Sequence, residues 1–237
     1  MSMNKGQLLY EGKAKRLYAT ENPEILYVEY KDSATAFNGE KKAEIEGKGT
    51  LNNRITTLIF EKLADAGIES HFVRQLSPSE QLVKKVEIIP IEVVVRNIAA
   101  GSLAKRLGME EGALLPRPIV EYYYKDDSLG DPHITTEHID VLGIATEKEV
   151  ATLYAEALRV NDVLQPLFEQ VGVTLIDFKL EFGRDSEGNV LLADEISPDT
   201  CRLWDTKTKQ KLDKDVFRRD LGNLTDVYEI ILERLGG

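Results

Sequence analysis

A chain of 237 residues is long enough for one large domain or two closely packed lobes, and it needs no disulfide to hold a core together. Lys plus Arg number 30 against 41 Asp plus Glu, a formal net charge of -11, which disfavours non-specific contact with nucleic acid or an anionic membrane and leaves any anionic ligand to local clusters of cations. The single cysteine, Cys201, has no partner within the chain, no zinc-type Cys/His spacing occurs, and there is neither a signal-peptide-like start nor a run of roughly 20 apolar residues, so a soluble cytoplasmic protein is expected.

Three short segments, QLLYEG, AKRLYAT and ILYVEYK, are rich in Leu, Tyr and Val, are separated by turn residues, and predict a small antiparallel sheet. The turn between the first two, EGKAKR, carries Lys13, Lys15 and Arg16. Such a turn can fold over polyphosphate, although an exposed basic turn with no ligand is the commoner case. The polar stretch 32–49 holds Gly39, Gly47 and Gly49 and predicts a mobile surface loop of the kind that covers active sites. In TLNNRITTLIFEKLADAG, Leu51, Ile55, Leu58, Ile59 and Leu63 recur at helical spacing up to Gly67. HFVRQLS, QLVKKVEI and IEVVVRNIA predict further strands, so the N-terminal half is mainly sheet with one helix.

In RNIAAGSLAKRLG a strand ends near Arg96 and a helix begins at Gly101 and Ser102. Free N–H groups, a hydroxyl and a guanidinium at that corner suit a phosphate or a carboxylate; the alternative is an ordinary N-cap and a surface ion pair. A Tyr-rich strand over 119–125 leads to the turn SLGDPH, which holds Asp131. Thr146 and Glu149 make a capping box for a long helix through Val171 that buries Val150, Leu153, Ala157, Val160, Leu164, Leu167 and Phe168.

The next stretch, residues 174–199, organises the rest. With a period of two, Ile176, Phe178, Leu180 and Phe182 share one face, while Asp177, Lys179 and Glu181 share the other. GRDSEGN then supplies a turn. Centring it on Glu187 and Gly188 places Glu181 directly opposite Asp194, where Cβ atoms about 5 Å apart would let two carboxylates share a cation. SPDTCRLWD puts Arg202 beside Trp204 in a loop, and the end of the chain has helical spacing from Asp215 onward, with Lys214, Arg218 and Arg219 near its start.

Magnesium uses one or two carboxylates plus phosphate oxygens, so this set points to a nucleoside triphosphate, a second anionic substrate and phosphoryl transfer. The GxxxxGK[ST], GxGxxG and protein-kinase signatures are absent, as are Ser, Cys and His nucleophile arrangements; His71, His133 and His138 are expected to be structural.

IIPIEVVVRNIAAGS (88–102) and LIDFKLEFG (175–183), with LYEGKAK, LVKK, DEISPD and RLWD in the same order, resemble the SAICAR synthetase (phosphoribosylaminoimidazole-succinocarboxamide synthase) family over essentially the whole chain. The resemblance implies an α+β fold of two lobes with an ATP cleft between them. Residues 1–87 would form a mainly antiparallel sheet lobe similar to the nucleotide-binding lobe of kinases, and 88–237 a mixed α/β lobe for ribonucleotide and metal. It implies ligation of L-aspartate to carboxyaminoimidazole ribonucleotide with cleavage of ATP, a step of de novo purine synthesis. By motif position, Glu181 and Asp194 would hold magnesium, Lys13 and Lys15 would contact ATP phosphates, and Val83 and Lys125 would line the adenine site. Arg96, Ser102, Asp131, Arg202, Lys214 and Arg218 would bind the ribonucleotide, and Asp177 and Lys179 would face the reacting groups. A homodimer is the expected assembly. A magnesium-dependent small-molecule kinase and a non-catalytic nucleotide sensor are the alternatives.

Overall fold

The structure, a computed structural model, describes residues 3–36 and 39–237. The elements run β1 (Leu8–Glu11), β2 (Lys15–Ala19), β3 (Ile25–Tyr30), β4 (Ser33–Ala36), β5 (Lys41–Glu44), α1 (Lys48–Asp65), β6 (Phe72–Ser77), β7 (Glu80–Lys84), β8 (Glu87–Ile88), β9 (Ile91–Ile98) and α2 (Gly101–Leu107). They continue with β10 (Leu114–Tyr124), β11 (His133–Ile134), α3 (Thr136–Leu142), α4 (Glu147–Gln170), β12 (Val173–Arg184), β13 (Val190–Ala193), β14 (Cys201–Asp205), α5 (Asp215–Arg218) and α6 (Leu224–Arg234). The fold is α+β, as expected.

Strands β1, β2, β3, β7 and β6 form an antiparallel sheet in that order. Residues two apart on a strand share a face, and the cross-strand pairs Leu17–Val28 and Leu26–Val83 complete an apolar cluster with Tyr30 on one side of this sheet. The second sheet has the order β11-β10-β9-β12-β13, with β8 and β14 also paired to β12. From Asp177 onward the alternation in β12 behaves as the sequence predicts: Phe178, Leu180 and Phe182 enter the main core, and Asp177, Lys179 and Glu181 face a cleft. Ile176 does not join them, because an irregularity between Leu175 and Asp177 puts Leu175 in the main core and Ile176 against Ala100 and Trp204. Helix α4 covers this sheet. Its Thr146 hydroxyl accepts the Glu149 N–H (3.2 Å) and the Glu149 carboxylate accepts the Thr146 N–H (2.7 Å), while Leu153, Ala157, Val160, Leu164 and Phe168 are buried in the same core.

Four expectations change. Stretch 32–49 is not a loop throughout: β4 and β5 pair as a two-stranded ribbon and α1 begins at Lys48. The alternation in SATA, with Ala34 and Ala36 buried, is built from residues too small to mark a strand in sequence; Phe37 and Asn38 lie outside the described residues. The CRLWD segment is strand β14, pairing with the first half of β12 so that Cys201 and Leu203 point inward. The closing helix is two, α5 and α6. Asp220 takes a left-handed φ of 54° between them and Asn223 caps the second through the Thr225 N–H (3.2 Å). Helix α3 had not been expected.

Candidate active site

A cleft of about 800 Å³ is lined from both sheets. Leu17, Leu26, Val28 and Val83 supply an apolar wall, and Lys13, Lys15, Lys125 and Asp131 stand around it. Lys13 lies in the turn between β1 and β2 and reaches Asp127 at 2.6 Å.

The expected register of the β12–β13 hairpin is off by one. Glu181 pairs with Ala193 and Arg184 with Val190, because the loop 185–189 has five residues. Its geometry is set by the Asp185 carboxylate, which accepts the N–H groups of Glu187 (2.9 Å) and Asn189 (2.8 Å), and by Gly188 at φ 83°. Strict alternation would now turn Asp194 away from Glu181. Instead Asp194 leaves the strand with φ 61°, a conformation Asp tolerates better than most residues, and its carboxylate lines the same cleft. Segment 194–200 is a detour between β13 and β14, which run along one side of β12; it closes where the Lys179 N–H donates to the Thr200 carbonyl at 2.8 Å.

Three lysines answer the two carboxylates. Lys125 and Lys179 reach Glu181 at 2.8 and 2.7 Å, and Lys15 reaches Asp194 at 2.6 Å. Burial alone would raise the Asp194 carboxyl, but Lys15 and then Lys179 hold it well below the usual carboxylate range. Burial likewise opposes the charge on Lys179, and Glu181, Glu92 and Asp194 together keep its amine well above the ordinary lysine value. Both carboxylates offer hard oxygens, and a pair is the number that magnesium takes when phosphate oxygens complete its shell. Among the described residues no group of three or more His, Cys, Asp or Glu forms an all-protein metal cage. The donor set therefore fits magnesium held jointly with a polyphosphate.

At the other end the cations are arginines. Arg96 is buried; its guanidinium donates to Glu121 (2.6 Å), Asp177 (2.7 Å) and the Ser102 hydroxyl (3.1 Å). Arg202 spans Asp177 (2.9 Å) and Asp215 (3.1 Å), and Arg218 shares Asp215 at 2.7 Å. Gly101 has φ 53°, and a Cβ there would press on the Arg202 guanidinium, so any other residue at the start of α2 would be strained and would displace this network. Lys214 precedes α5 and also lines the cleft. All the site residues expected from the sequence thus line one cavity, except Ser102, which stands behind Arg96.

The profile of the SAICAR synthetase family matches residues 8–235. The chain belongs to that family. A phosphoribosylaminoimidazole-succinocarboxamide synthase of Lysinibacillus sphaericus (strain C3-41) is 77% identical over 235 residues, 99% of this chain and 100% of that protein. One from Bacillus cytotoxicus is 66% identical across 99% of this chain and 98% of its own. The crystal structure of the Ehrlichia chaffeensis synthase superposes with a TM-score of 0.94 at 47% identity, covering 97% of this chain and 98% of that one. A SAICAR synthetase (Type-2) solved in complex with ADP gives 0.93 at 50% identity, over 96% and 97%. SAICAR synthetases are ATP-dependent ligases of purine biosynthesis, the class expected from the sequence.

In this SAICAR synthetase several groups in the cleft or buried behind it carry no clear signal in the sequence. Glu121 anchors both Arg96 and Arg106, and its only signal was one acid within the Tyr-rich strand. Glu195 lies 3.6 Å from Lys15, with burial raising its pKa, and Asp199 pairs with Lys48 at 2.7 Å. Both acids belong to DEISPD, but Lys48 sat in the supposed loop, so nothing local announced its partner. His71 is buried at the cleft wall, where burial and then Lys15 push its pKa down to about 3 and keep the ring neutral. No helix among the described residues is long and apolar enough to cross a membrane.

Proposed function

We propose that this SAICAR synthetase joins the amino group of L-aspartate to the carboxylate of carboxyaminoimidazole ribonucleotide, cleaving ATP to ADP and phosphate. The observation that carries the reading is the convergence of Glu181 and Asp194, each ion-paired to lysine, in one cleft with an apolar wall of a size for a nucleotide base. Val83 and Lys125 border the base, and Lys13 and Lys15 meet the phosphates. Glu181 and Asp194 would hold magnesium, which when bound neutralises phosphate charge and orients the chain. Arg96, Arg202 and Arg218, with Ser102 and Asp131, receive the anionic ribonucleotide, and Lys214 stands beside it in the cleft.

A carboxylate resists attack by an amine because of its negative charge, whereas an acyl phosphate has a good leaving group. The γ-phosphoryl group therefore passes to the ribonucleotide's carboxylate first, and the aspartate amine then displaces phosphate. Lys15, Lys125 and Lys179 offset charge on the transferring group. Asp177, with both oxygens engaged by Arg96 and Arg202, fixes those guanidiniums in place. We take residues 1–87 as the nucleotide lobe, 88–237 as the ribonucleotide and metal lobe, and a homodimer as the assembly, which sedimentation checks.

The test supplies ATP, magnesium and the ribonucleotide with and without L-aspartate. Sustained ADP release only with L-aspartate is the expected result; equal release without it would identify a kinase.

A further inference from the structure

Lys214 is placed by its backbone, whose N–H donates to the Pro198 carbonyl at 3.0 Å and sets the side chain beside Asp199. Its Nζ lies 3.6 Å from Asp199 Oδ2, beyond hydrogen-bond length, and among the described residues no other carboxylate comes within ion-pair distance. Asp199 is already occupied. Lys48 Nζ sits 2.7 Å from the same oxygen, and the Tyr228 hydroxyl donates to Oδ1 at 2.5 Å. Lys48 is wholly buried in the first turn of α1, so water does not screen its charge. Arg218 has its own partner in Asp215, and Glu195, the remaining acid facing the group, lies nearer Lys15. Lys48 and Lys214 thus compete for Asp199, and Lys214 is the cation left without a close partner. Burial first pushes its amine below the ordinary lysine value; Asp199 pulls it back, and Lys48 and Arg218 add to the depression. The side chain keeps 15% of its surface open on the cleft.

We infer that Lys214 is the proton acceptor for the attacking aspartate amine, and that Lys48 is a positioning residue that keeps Lys214 available by holding Asp199. The inference rests on the proposed ligation. L-Aspartate arrives as an ammonium, and its nitrogen has a free pair only after a proton has passed to Lys214 Nζ. The nitrogen then attacks the acyl carbon; the C–N bond forms and the C–O bond to the phosphoryl group breaks. The departing phosphate keeps the electron pair and takes up the nitrogen's second proton, and Lys214 releases its own to solvent. Asp177 is a poorer acceptor, since Arg96 and Arg202 engage both its oxygens.

Lys214→Arg keeps the positive charge but accepts no proton at working pH. Hydroxylamine is uncharged at neutral pH and traps an acyl phosphate without a base. In the variant, the ratio of turnover with L-aspartate to hydroxamate formation with hydroxylamine should fall about 100-fold or more, the usual worth of a general base. Equal loss of both reactions, or full turnover with L-aspartate, overturns the assignment. No hydroxamate even from the wild type overturns the acyl phosphate reading itself, and the inference with it. Lys48→Met should move the acid limb of the kcat profile upward by about one pH unit, because Asp199 would then pair with Lys214; an unmoved limb removes Lys48 from the account.

Discussion

The two ends of the cleft use different cations for the same task of meeting anions. At the end proposed for the nucleotide, Lys15, Lys125 and Lys179 face Asp194 and Glu181 through ammonium contacts. At the end proposed for the ribonucleotide, Arg96, Arg202 and Arg218 are fixed in a network with Glu121, Asp177 and Asp215. An ammonium is a point charge on a flexible stem and can exchange a carboxylate for a phosphate; a guanidinium is a planar fork whose direction is set by its partners. Under the proposed function, the first end is built to trade partners as ATP becomes ADP, and the second to hold its shape.

The comparison breaks first if the carboxylates are dispensable. Glu181→Ala should lower kcat/KM by at least about 100-fold, above the usual effect of disturbing a metal's supporting groups, and should abolish the magnesium dependence of ADP binding measured by calorimetry. Arg202→Lys is next: replacing a fork by a point charge removes one charged hydrogen bond and should raise the ribonucleotide KM about 10- to 100-fold with the ATP KM unchanged. Equal rises in both would mean that the two ends are not separate devices. Glu121→Gln keeps an acceptor for Arg96 but removes a charge, and a ribonucleotide KM about fivefold higher is expected.

The smallest effect lies outside both ends. Arg184 first, and the Thr146 N–H with it, hold the Glu149 carboxyl down at about 2 from 4.5, against the pull of burial. A depressed carboxylate stabilises the fold above its ordinary range, and that contribution is lost as pH falls from 4.5 toward about 2. Glu149→Gln should therefore destabilise the chain by about 1 kcal/mol at pH 7 in urea unfolding, with the gap closing in acid and the kinetics unchanged.

What was legible in the chain was local. The period of two in β12 placed Asp177, Lys179 and Glu181 on one face, and Thr146 with Glu149 announced α4. The register of the hairpin was not legible, because it turns on whether the loop holds four residues or five, and Asp185 decides that through side-chain bonds to Glu187 and Asn189. Asp194 reached the cleft through its backbone conformation rather than by the expected pairing. Strand β14 went unread because a charged Arg202 and a lone Trp204 interrupt its pattern, and the Lys48–Asp199 pair joins residues 151 apart in the chain, which no local period reports.

The central claim is that ATP activates the ribonucleotide's own carboxylate, and an oxygen label tests it most directly. With oxygen-18 in that carboxylate and unlabelled ATP and water, each turnover should deliver one labelled oxygen to the released phosphate. Phosphate free of label, with the amide still formed, would contradict the account.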